Sequence, residues 1–133
     1  MSARRSIIQY DSLNEQMFER LPILTQTAYR DLIAGIQAGP YVTLGVLFNR
    51  YILDLARGGS PYAKDEVASF IEDMANAQDQ GVTDLLTTEV LPTLLTSQEV
   101  LNDYWPLLGA VTRRRLRTMH PRFARKVEFP ATD

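Results

Sequence analysis

The chain has 133 residues, 45% of them hydrophobic, no cysteine and a formal net charge of −2. That is enough for one domain with its own core, and it excludes a disulfide framework, a thiolate zinc site and a cysteine nucleophile. No apolar run approaches the ~20 residues of a membrane span, and only Ile7 and Ile8 follow Arg4-Arg5, too few for a secretory leader; a cytoplasmic location is expected.

Taken in chain order, the punctuation predicts about six helices after a flexible stretch 1–11. Ser12 with Glu15 three residues on has the form of a capping box opening a helix to Arg20. Pro22 permits a restart, and Ala28, Tyr29, Leu32, Ile33 and Ile36 recur at helical spacing until Gly39-Pro40. Residues 41–57 are apolar nearly all round, which places that helix at the centre of a bundle. Gly58-Gly59 ends it. Ser60-Pro61 supplies an N-cap with proline at the first helical position.

Val67, Phe70, Ile71 and Met74 form the stripe of the next helix, and Gly81 separates it from another in which Leu85, Leu86, Val90, Leu94 and Leu95 point inward. Pro92 lies inside that run and should kink it, freeing the Thr88 carbonyl. A last helical stretch begins at Thr96-Ser97, is interrupted at Trp105-Pro106 and ends at His120-Pro121. Residues 121–133 form an extended strap, with Phe123, Val127 and Phe129 to pack on the body. The expectation is therefore a single all-α domain over 1–133, a compact bundle in which 22–57 and 60–95 could stack as two helical hairpins.

The charge is divided unevenly. Between Asp54 and Asp103 ten carboxylates face only Arg57 and Lys64, a net −8. Between Arg113 and Lys126 there are seven bases and no acid. Such a layout bears on partners and association rates rather than on the fold.

From Tyr41 to Leu95 the chain reads as an aromatic, Gly45, Leu47, Tyr51, Leu55 and a glycine turn, then Val67, Phe70-Ile71-Glu72, Met74-Ala75, Val82, Leu85-Leu86 and Val90-Leu91 to Leu94. This pattern resembles small all-helical bacterial domains of unknown function that occur among immunity proteins of polymorphic toxin systems. It covers under half the chain, and its one polar anchor is Glu72. The resemblance implies a protein that binds and silences a cognate toxin.

The residues themselves assemble no nucleophile, base and oxyanion donor, so an enzyme is not expected. The single histidine, His120, reads as a solvated helix-end residue. Glu-x-x-His pairs and an EF-hand loop are absent; the adjacent pairs Asp65/Glu66 and Glu72/Asp73 point about 100° apart on a helix and are no preformed clamp. Gly58-Gly59-Ser60-Pro61 lacks the Gly-Lys-Ser/Thr of a phosphate loop. No metal and no cofactor are expected. Glu72, at the edge of the apolar stripe, is expected to pair with a cation such as Arg50 or Arg57.

The leading expectation is a cytoplasmic interaction protein that occludes a basic toxin domain. Asp65, Glu66, Asp73 and Asp79 would form its acidic face, with Tyr62 and Trp105 as aromatic anchors. The alternative is a nucleic-acid-associated or regulatory protein acting through Arg113, Arg114, Arg117, Arg122 and Arg125. Nucleic acid is the less expected partner, because such a stripe also suits a helix C-terminus or the chain's own acidic helices. A membrane partner is not expected, and pairing of the acidic and basic patches between copies stays open.

Overall fold

Proline, glycine and hydroxyl caps set most of the helix boundaries. The computed structural model describes residues 8–35, 39–123 (side chains to 119) and 127–130. These residues form seven helices and no strand. They are α1 (Leu13–Arg20), a short α2 (Thr27–Arg30), α3 (residues 40–55), α4 (Pro61–Ala75), α5 (residues 80–94), α6 (Gln98–Tyr104) and α7 (Ala110–Phe123). The all-α class expected from the 3.6-residue periodicity is what the chain adopts.

The predicted caps around α4 and α6 are in place. Gly58 takes φ +110, the left-handed conformation that ends α3. Ser60 then accepts the Ala63 N–H at 3.0 Å with Pro61 behind it, and Ser97 accepts the Val100 N–H at 3.2 Å. At Ser12 the capping box does not form: a 3-10 turn (Tyr10–Ser12) precedes α1, and the Ser12 side chain makes no cap bond. The stretch after Pro22 is not one long helix either. It breaks into a 3-10 turn (Pro22–Thr25), α2 and a second 3-10 turn (Asp31–Ile33). Gln26, between two threonines, sits in extended backbone at ψ 155° and interrupts the helical run. The expected hairpin over 60–95 is therefore present as α4 and α5, while 22–57 has turns where its first arm was expected. Ile36 and Ala38 lie outside the described residues.

Helix α3 carries the centre of the core. Leu44, Leu47, Phe48 and Ile52 are fully buried, and Phe48 meets Phe70 of α4 edge-on at 5.6 Å. It is not buried all round, since Tyr41 and Val46 are surface residues. The Tyr104 hydroxyl donates to the Ile52 carbonyl at 2.9 Å, tying α6 to α3.

Both central helices contain a π turn, Thr43–Phe48 in α3 and Leu86–Val90 in α5. In α5 the π turn directly precedes Pro92, which has no N–H to give. The helix thus absorbs the proline by widening its preceding turn rather than by a bare kink. Asn49 bridges the two π turns, its Nδ2 donating to Glu89 O at 2.7 Å and to Gly45 O at 3.1 Å. The carbonyl with an external donor is that of Glu89, one residue beyond the expected Thr88.

The termini are packed where they are described. Ile8 is buried and the Tyr10 N–H binds Asp79, so the end of the stretch expected to be flexible packs on the body. Helix α7 continues through Pro121 to Phe123, past the expected stop. Beyond it, Val127 is buried, Phe129 lies 5.2 Å from Trp105, and Gln98 makes two bonds to the Glu128 backbone. Residues 127–130 carry no regular secondary structure and pack on the body, while 121–123 of the expected strap belong to α7.

Two substitutions test this core. Phe48→Ala should cost about 3–5 kcal/mol, the range for truncating a buried phenylalanine. Asn49→Ala should cost about 1–3 kcal/mol, because it strips the donor from two part-buried carbonyls. Urea midpoints matching wild type would show that neither residue holds the helices together.

Candidate interaction surfaces

Residues i, i+3 and i+4 share one face of a helix. Tyr62, Asp65 and Glu66 are so placed on the first two turns of α4. Tyr62 is 74% exposed, the most open large hydrophobic side chain among the described residues. Asp65 is exposed and Glu66 half-buried beside Tyr51. Burial, and then the Glu66 charge, raise the Tyr51 pKa. Further along the same face α1 covers the helix: Arg20 binds Asp73 at 2.6 Å and Ser69 at 3.3 Å, with its guanidinium over the Phe70 ring.

The expected acidic face is accordingly shorter than the sequence suggested. Asp73 is a partner of Arg20 and not a solvated acid. Asp79 caps α5 by accepting the Gly81 N–H at 2.9 Å, and its other oxygen holds the Tyr10 N–H at 2.8 Å. The Tyr10 bond is the main cause of its lowered pKa. Asp103 pairs with Lys64 at 2.8 Å, and Asp54 accepts the Tyr29 hydroxyl and pairs with Arg50. Trp105 is only 1% exposed and cannot serve as a surface anchor. Tyr62, Asp65 and Glu66 remain from the expected set.

Glu72 has a different partner from the arginines expected. Its carboxylate accepts the Thr112 N–H at 2.9 Å, the Thr112 hydroxyl at 2.7 Å and the Val111 N–H at 3.3 Å. These amides open α7 and have no partner within the helix. The residue before α7 is Gly109, which has no side chain to cap with, and Glu72 of α4 supplies the missing acceptor. A Cβ at Gly109 would overlap the Glu72 side chain, so the glycine also makes room for it. Burial pulls the Glu72 pKa up, but the bonds from Thr112, Asn76 and Val111 outweigh it and the net shift is downward.

The basic helix α7 uses its arginines in two ways. Arg113 donates to the Trp105 carbonyl at 2.8 Å, and both Arg113 and Arg117 stack on the Trp105 ring, 5.0 and 5.1 Å from its centroid. Arg115 reaches the last turn of α4, donating to Ala75 O at 3.3 Å. Arg114 is exposed, and its guanidinium has no partner among the described residues. The stripe thus lies mid-helix, in contact with an indole and one backbone carbonyl. The side chains of His120 and Arg122, and all of Arg125, lie outside the described residues. No cluster of three or more potential metal ligands occurs among the described residues, and no helix there is long and apolar enough to cross a membrane.

Sequence reasoning missed the capping roles of Glu72 and Asp79. The Asp79-x-Gly81 spacing signals a helix start, but nothing in the sequence pairs Glu72 with a helix forty residues away. No protein-family model matches the chain, and no curated protein or solved structure is significantly similar to it.

The folded-state pKa of Glu72 lies below its unfolded value. Its contribution is therefore complete above the usual carboxylate range and is lost as pH falls through the folded value. Wild type should lose more stability between pH 7 and pH 3 than Glu72→Gln does, by chemical denaturation at both pH values. Equal losses would show that the carboxylate is not the acid-sensitive cap. At neutral pH Glu72→Ala should cost about 1–2 kcal/mol, as for loss of an N-cap.

Proposed function

We propose that the protein acts by binding rather than by catalysis, as an immunity-type protein that occludes a cationic toxin domain. The observation that carries this reading is the open end of α4. There an exposed tyrosine stands on a capped helix turn with Asp65 and Glu66 one turn on. Tyrosine is a frequent hot-spot residue because it buries a large rigid surface and keeps a hydroxyl for hydrogen bonding. The two carboxylates lie at the edge of a segment carrying net −8. Arg20, Arg50 and Lys64 offset Asp73, Asp54 and Asp103, whereas Glu72 and Asp79 are held by hydrogen bonds without a neutralising cation, so a reduced negative field remains around the segment. That field would raise the rate of encounter with a basic surface, and Tyr62 would set the lifetime of the complex.

The test is co-expression with the product of the adjacent reading frame. That product is expected to be toxic alone and neutralised by this protein. Tyr62→Ala should weaken the complex by about 2 kcal/mol or more, as for a hot spot. Asp65→Lys with Glu66→Lys should slow association and flatten its salt dependence, with each change altering folding stability by no more than about 0.5 kcal/mol. Full protection by folded variants of both kinds would remove the end of α4 from the binding site.

A further inference from the structure

We propose that the cleft between α7 and the π turn of α5 is a binding site for a small ligand carrying a phosphate group. The cleft has a volume of about 350 Å³ and is lined by Thr87, Val111, Arg114, Arg115, Thr118 and Met119. That volume falls in the range of small-molecule sites, which are mostly apolar with a few convergent polar groups. Val111 and Met119 supply the apolar wall.

The donors converge from two elements. Arg114 is exposed and its guanidinium has no partner among the described residues. Arg115 is fixed through the Ala75 carbonyl, yet its Nε is buried without a hydrogen-bond partner. Thr87 brings a hydroxyl, whereas the Thr118 hydroxyl is already used on the Arg114 carbonyl at 3.0 Å. The open Arg114 guanidinium and the Thr87 hydroxyl suit the acceptor oxygens of a phosphate, with the Arg115 charge beside them.

Thr87 lies inside the π turn Leu86–Val90. Single π turns recur at functional sites, and this one lines the same cleft as the arginines. A second depression of about 470 Å³, lined by Ala110, Arg113, Arg114, Arg117 and Thr118, adjoins it through Arg114 and Thr118. It extends the positive field around the site.

The site is independent of the Tyr62 surface, and its test needs no protein partner. Phenyl phosphate, inorganic phosphate and benzyl alcohol are titrated into the purified protein by calorimetry. Phenyl phosphate should bind with one-to-one stoichiometry and more tightly than inorganic phosphate, and benzyl alcohol should not bind. Arg114→Ala, at an exposed mid-helix position where alanine is well tolerated, should weaken phenyl phosphate about tenfold or more, the loss expected for a charge-assisted hydrogen bond. Thr87→Val should weaken it by a smaller factor, which keeps the test independent of any one variant. Absence of binding, equal affinity in both variants, or equal binding of benzyl alcohol would overturn the proposal. So would tighter binding of a single-stranded oligonucleotide with a salt dependence showing several phosphates engaged, since the surface would then follow a polymer backbone.

Discussion

The carboxylate of Glu72 sits over the first amides of α7, and the placement of the basic helix follows from that contact. Without an acceptor there, the Val111 and Thr112 N–H groups would be part-buried and unpaired, an expensive state for a helix end. With it, α7 is anchored to α4 at one end, and Arg115 anchors it again on the Ala75 carbonyl. Arg113 and Arg117 are then held on the Trp105 ring and Arg114 is turned outward. The arrangement needs a glycine at 109, because any side chain there would occupy the space of the carboxylate.

The same contact explains how the charge of the chain is used. Half of the ten acids between Asp54 and Asp103 brace the molecule from within. Glu72 and Asp79 serve helix starts, Asp73 and Asp103 tie α4 to its neighbours through Arg20 and Lys64, and Asp54 holds Tyr29. Surface ion pairs contribute little stability each, whereas a carboxylate on helix amides satisfies groups with no other partner. An acidic segment in a small helical protein is thus in good part a set of braces, with Asp65, Asp84 and Glu99 among the acids left exposed.

Local signals were legible in the sequence because they act within one turn. Gly58, Ser60-Pro61, Ser97 and the stripe Val67, Phe70, Ile71 and Met74 all do what their spacing requires, since a cap or a heptad face needs no distant residue. The misreadings have a common cause. The burial of Trp105, the pairing of Asp73 with Arg20 and the Glu72 contact join residues far apart in the chain, and no spacing rule reaches across that distance. At Ser12 and across 22–33 the local pattern was present but weak, and threonines, an extended glutamine and packing of the N-terminal segment against Asp79 decided the outcome. Of the candidate surfaces, Tyr62, Asp65 and Glu66 could be found from sequence alone. The Thr87 contribution to the arginine cleft could not, because it depends on the π turn.

The paired π turns of α3 and α5 have a consequence for how this chain tolerates change in length. A π turn holds one more residue than an α turn, so removing a single residue from Thr43–Phe48 would let α3 close into a regular helix. The residues downstream to Leu55 would keep nearly the same facing, because the residue lost is the extra one that the π turn accommodates. Tyr51, Ile52 and Leu55 would stay on the core side, with Arg50 and Asp54 outside it. A one-residue deletion is therefore best absorbed inside a π turn, whereas one in the regular part of α3 would turn every residue beyond it by about 100°.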